Sequence, residues 1–377
     1  MNRVGATPPG PRSARVAAWC CWLLVLLLPT LVAGASIGAD ADAGERARLA
    51  RILDGRHHPA QVDSQISRLF HSAAVPTRTW PVRRREQQAL VVAARRSQVL
   101  GVTAVAWLLY LSVLLARGRL QALFACGLFA VLPPVAASGH VLRPQTPATL
   151  FVLLAVVLLQ VAMRPAPARR RRSPRRSGVS TYGLLLCAAL AIALSVETMP
   201  SLGVALLVPG VVLLIGSAQL LLRTVRCLRR RGLAGTPVRA VNQRILPWTS
   251  VAVAAPAFTV WLLANALTVP VEQIAITERT SALLPTGTFL SPILAGLLLV
   301  GALVFVLRVG LRLGRGGRIG PELVLFAFCT LLLLDAALGD GRADPFPRAP
   351  AVAVVLGEGG AAVVALAFGV LSRRRRR

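Results

Sequence analysis

Across 377 residues the chain is 55% apolar and sets 43 basic residues against 14 acidic ones, a formal charge of +29. A mean hydropathy of +0.66 excludes an ordinary soluble globular domain. The basic residues are all arginine, which fits a GC-rich bacterial coding sequence, and they cluster at the ends of apolar runs. The charge therefore points to membrane topology and anionic lipid, and away from nucleic acid.

The apolar runs are continuous, not alternating, and are long enough to cross a bilayer as helices. The fold class expected is all-α: a polytopic transmembrane bundle of about 10 spans, or 9 if the first is removed. Residues 1–35 open with Arg3, Arg12 and Arg15, then an apolar stretch ending in Ala33, Gly34 and Ala35. They read equally as a signal peptide or as a first span, and either places the next segment outside. Residues 36–97 form the one sizeable polar region, an external and mostly helical segment too small for a confident core of its own. Within it 84–97 either lies on the interface or extends the next span.

Spans 2 to 4 occupy 98–163, with bounds near 98–116, 120–137 and 147–163; Pro133 and Pro134 interrupt the third. Residues 164–178 form a loop rich in arginine and proline with no acid. Arg170, Arg171 and Arg172 make it a cytoplasmic anchor. Spans 5 to 10 fill 179–371, near 179–196, 202–222, 248–269, 289–308, 321–338 and 350–371. Arg229, Arg230 and Arg231 mark a second cytoplasmic loop, and 372–377 is an arginine tail. With this orientation 28 of the 43 arginines fall inside, and both termini are cytoplasmic when residues 1–35 are retained. Arginines 83–85, 95 and 96 sit on the side where the rule disfavours them.

Ionisable residues inside a span are costly and are the default functional candidates. Two qualify. Asp335 lies in span 9 and Glu358 in span 10, beside Gly357, Gly359 and Gly360. Both are expected in the outer third, where they face each other or a common cavity as an ion-coupling or substrate path, or else pair with Arg342 or Arg348 and hold the hairpin. His57, His58 and His71 are weak metal candidates: two are adjacent, and no zinc-type spacing appears. Asp40 and Asp42 follow the first apolar segment. In outline this placement resembles membrane glycosyltransferases that use polyprenyl-phosphate sugars, which keep a catalytic acid in the first external loop. That resemblance implies a lipid-linked substrate and a role for Asp40 and Asp42.

No nucleotide loop or nucleophile motif is present, and no cofactor is expected. The first expectation is a small-solute transporter or permease of the inner (cytoplasmic) membrane, with membrane lipids as partners and other membrane proteins as candidates. The alternatives are a non-catalytic subunit assembling through glycine-rich faces, and an enzyme acting on a lipid-linked substrate. The lack of a catalytic motif leans against an enzyme. Substrate, partner and oligomeric state are not legible in the sequence.

Overall fold

The computed structural model describes residues 11–35, 37–38, 45–47, 49–50, 83–137, 145–163, 174–215, 217–218, 249–261, 290–314, 320–338 and 346–374. Among these the chain is helical and contains no strand. The helices are α1 (Pro11–Gly34), α2 (Arg84–Ala116), α3 (Arg119–Val131), α4 (Pro133–Ala137), α5 (Gln145–Ala162) and α6 (Pro174–Thr198). Two shorter apolar helices follow, α7 (Leu202–Ile215) and α8 (Thr249–Trp261). Then come α9 (Leu290–Gly314), α10 (Pro321–Leu338) and α11 (Ala349–Arg374). Five helices among the described residues are long and apolar enough to cross a membrane. The chain is a polytopic membrane helical bundle, as the apolar runs require.

The breaks have local causes. The third expected span stops at Val131 and resumes at Pro133, because Leu132 precedes a proline and takes extended backbone. Between α2 and α3 the turn rests on Gly118, whose φ of +114° suits a residue without Cβ. The largest departure from the expected bounds is α2. It does not begin near 98 but runs unbroken from Arg84 for 33 residues, about 50 Å at 1.5 Å per residue. That exceeds a hydrocarbon core of ~30 Å, so the segment 84–97 extends the span as one continuous helix.

Packing is centred on α2, α3, α5 and α11. α5 lies against α6 and α2, α11 is sandwiched between α3 and α9, and α1 packs on α2 and α3. Pro11–Gly34 is thus in contact with two central helices. Its Trp22 meets the Tyr110 ring edge-on at 5.8 Å, and the Thr30 and Thr103 hydroxyls are 2.7 Å apart. In the core Phe129 of α3 meets Phe346, just before α11, at 6.5 Å. α9 is the least covered span. Leu299, Leu303, Val306, Leu307 and Leu311 are all exposed on it, as a lipid-facing helix requires.

The glycines of 357–360 hold α11 in place. A Cβ on Gly357 would strike the backbone of Ala125 in α3, and one on Gly360 would press on Phe124. A Cβ on Gly359 would run into the carbonyl of Leu297, and one on Gly301 into that of Val355, so α9 and α11 touch backbone to backbone. Small residues permit such approach where lipid supplies no hydrophobic drive. These glycines are thus consumed inside the bundle and do not form an outward flank for a partner.

Candidate functional site

Two clusters of buried charge lie at opposite ends of the bundle. The first is where α2 and α5 begin, the end read as external. Val91, Arg95, Gln98 and Val102 recur at helical spacing along one buried stripe of α2. Arg95 is thus carried into the interior by an otherwise apolar face. Its Nε donates to Glu45 Oε1 at 2.9 Å and its Nη2 to Glu45 Oε2 at 2.6 Å. The two side chains are 2% and 4% exposed. The third nitrogen, Nη1, donates to the carbonyl of Ile37 at 3.1 Å. One turn along, Gln98 Nε2 donates to Thr146 Oγ1 at the start of α5, at 2.5 Å. Among the described residues, the amide oxygens of Gln98 and Gln145 are buried without a hydrogen-bond partner.

The Arg95–Glu45 pair accounts for one of the five arginines on the disfavoured side. A guanidinium neutralised bidentately inside the protein no longer acts as a free positive flank. Neither Glu45 nor Arg95 stood out as a site in the sequence. The readable signal was a charged residue inside the apolar stripe 91–102.

The second cluster is where α2 ends and α10 begins, the end read as cytoplasmic. Arg117, its side chain 1% exposed, reaches Glu358 Oε1 from Nε at 2.8 Å and Glu322 Oε2 from Nη1 at 3.3 Å. Its guanidinium carbon also stands 5.0 Å from the centre of the Phe305 ring, a cation–π arrangement. Arg308 Nη1 donates to Glu358 Oε2 at 3.4 Å. Nearby, Gln160 Nε2 donates to the Pro321 carbonyl at 3.3 Å. Two arginines and two carboxylates from four helices balance to zero, which lowers the cost of burying them.

Asp335 and Glu358 are not brought together. Asp335 Oδ2 accepts from Arg348 Nη2 at 2.9 Å, on the turn that precedes α11. Glu358 lies ~15 Å further along by helical rise, near the middle of α11, where it joins Arg117 and Arg308. The two acids do not face each other in the outer third; Asp335 instead takes the other expected arrangement, a pair with Arg348. Spans 9 and 10 are adjacent, yet each acid is drawn to the arginine within its own reach. No sequence spacing links Arg117 or Arg308 to residue 358, so packing alone brings them together.

Asp40 and Asp42, the histidines His57, His58 and His71, and the anchors Arg170, Arg171, Arg172, Arg229, Arg230 and Arg231 lie outside the described residues. Among the described residues no group of three or more His, Cys, Asp or Glu side chains is placed to hold a metal.

The fold has counterparts among solved structures. One is the oligosaccharyltransferase of Archaeoglobus fulgidus in its apo form, at 12% identity and a TM-score of 0.53, covering 94% of this chain and 51% of that one. Another is ArnT from Cupriavidus metallidurans bound to undecaprenyl phosphate, at 15% identity and a TM-score of 0.50, covering 91% of this chain and 60% of that one. The chain thus spans between half and three-fifths of the length of these structures. At such identities the likeness is one of fold. No protein-family model matches the chain, and no curated protein sequence does. The expected small-solute transporter finds no support in these likenesses.

Proposed function

We propose that the protein is a membrane glycosyl-transfer enzyme acting on a polyprenyl-phosphate-linked sugar, with Asp40 and Asp42 as its candidate acids. The carrying observation is the fold, shared over nine-tenths of the chain with an oligosaccharyltransferase and with a protein holding undecaprenyl phosphate. The acids support the reading independently. They lie between the first apolar helix and α2, the placement in which the sequence resembles such enzymes.

The chemistry asks little of the protein beyond position and one base. An acceptor hydroxyl attacks the anomeric carbon, and the bond from that carbon to the phosphate oxygen breaks. The polyprenyl phosphate leaves with the bonding electrons, and a carboxylate takes the hydroxyl proton. On this reading the lipid is the partner, the site faces the extracytoplasmic side, and the protein resides in the cytoplasmic membrane.

The test uses the full chain purified into nanodiscs. Native mass spectrometry should find undecaprenyl phosphate bound. Undecaprenyl-phosphate-linked pentose, hexose and N-acetylhexosamine should each be tried, with a cell-envelope extract supplying acceptor hydroxyls and release of free undecaprenyl phosphate as the readout. Asp40→Asn or Asp42→Asn should slow release by about 100-fold while leaving the lipid bound. Full rates in both variants, or no release from any of the three by the unaltered protein, would sink the proposal.

A further inference from the structure

We infer that Arg95 is a positioning residue: by gathering Ile37 and Glu45 onto one guanidinium it anchors to α2 the two residues that flank Asp40 and Asp42 in sequence. Its functional consequence rests on the glycosyl-transfer reading above; its geometry does not. Three observations carry it. Arg95 contacts Glu45 through two nitrogens, at 2.9 and 2.6 Å, and Ile37 through the third, at 3.1 Å. Both charged side chains are almost wholly buried, at 2% and 4% exposure. The arginine is mounted on α2, which is one unbroken helix and is tied to α5 one turn away through Gln98 and Thr146.

A buried ion pair is a poor device for stability alone, since two well-packed apolar residues of similar volume serve as well or better. What apolar residues cannot do is hold a carboxylate and a backbone carbonyl at one point. The planar fork of arginine does this with fixed angles, and lysine does not. The two captured residues bracket the acids on either side. Leu49, just beyond Glu45, is fully buried, so apolar packing continues the attachment past the ion pair.

Hydrogen–deuterium exchange on the full chain in nanodiscs tests the geometry without reference to activity. In Glu45→Gln and in Arg95→Gln, peptides covering 36–50 should exchange about tenfold faster, with peptides from α5, α10 and α11 unchanged. Arg95→Lys keeps the charge but loses the fork, so it should give a smaller rise confined to the same peptides. This variant carries the test if the glutamine variants fail to accumulate. The enzymatic arm follows release of undecaprenyl phosphate from its linked hexose. There kcat should fall about tenfold with KM for the lipid within about twofold, the signature of a misplaced reacting group and not of lost binding. Unchanged exchange over 36–50, or a rise spread evenly over the whole protein, would overturn the inference. If exchange rises locally while the unaltered protein releases no undecaprenyl phosphate from any linked sugar, the clamp stands and the glycosyl-transfer reading falls.

Discussion

The two buried charge clusters are built from the same residue types and serve different ends. At the first, Arg95 of α2 holds Ile37 and Glu45, which lie between α1 and α2 in sequence. At the second, Arg117, Glu322, Glu358 and Arg308 join four helices to one another. The first is a single bidentate pair plus one carbonyl; the second is a shared network with a ring beneath it. Loss of the first should loosen a local segment, whereas loss of the second removes a charge from the middle of the frame. The contrast separates positioning from scaffolding on physical grounds. A charge that holds a connecting segment and a charge that holds spans together should therefore respond differently to loss of a partner.

The sharpest way to break this comparison is Arg117→Leu. Glu358, 2% exposed, would keep only Arg308, whose side chain is 46% exposed. Removing one partner of a buried pair costs on the order of 3–5 kcal/mol, so the variant should accumulate poorly or lose much of its thermal stability in detergent. A midpoint within 2 °C of the parent, by fluorescence-monitored gel filtration across about 20–80 °C, would show the second cluster to be dispensable. Next in size is Gly359→Leu. Its side chain has no space against the Leu297 carbonyl, and overpacking of this kind costs typically about 1–3 kcal/mol. Gly310→Leu, where nothing lies within 4 Å of the added Cβ, is the matched control and should leave the midpoint unchanged.

The fold was largely legible because continuous apolar runs admit one solution in lipid. Expected and observed bounds agree closely for α10, at 321–338, and for α11, expected at 350–371 and found as Ala349–Arg374. The site was legible only in part. Glu358 stood out because a carboxylate in a span is costly, but its partners Arg117 and Arg308 are 241 and 50 positions away, and only packing brings them near. Glu45 looks like an ordinary charge in a polar region and Arg95 like one more arginine on the disfavoured side; the burial that makes them matter follows from α2 running on to Arg84. Asp40 and Asp42 form only a two-residue pattern, and they lie outside the described residues.

The smallest expected effect belongs to Asp335→Asn, and it discriminates most cleanly between transport and the alternatives. Asp335 is paired with Arg348, but its side chain is 32% exposed, so solvent already screens the interaction. Exposed or half-exposed pairs contribute about 0–1 kcal/mol; a neutral amide also retains an oxygen that can accept from Arg348. Stability should shift by no more than ~1 kcal/mol, and lipid-linked sugar turnover should stay within about twofold of the parent, since Asp335 has no part in the proposed chemistry. A coupling acid behaves differently: its loss removes the driving-ion dependence entirely while the fold survives. The measurement is turnover and thermal midpoint on the same preparation. Loss of activity at an unchanged midpoint would move the functional centre from the Arg95 end of α2 to the α10–α11 hairpin, and the comparison between positioning and scaffolding charges would have to be redrawn around Asp335.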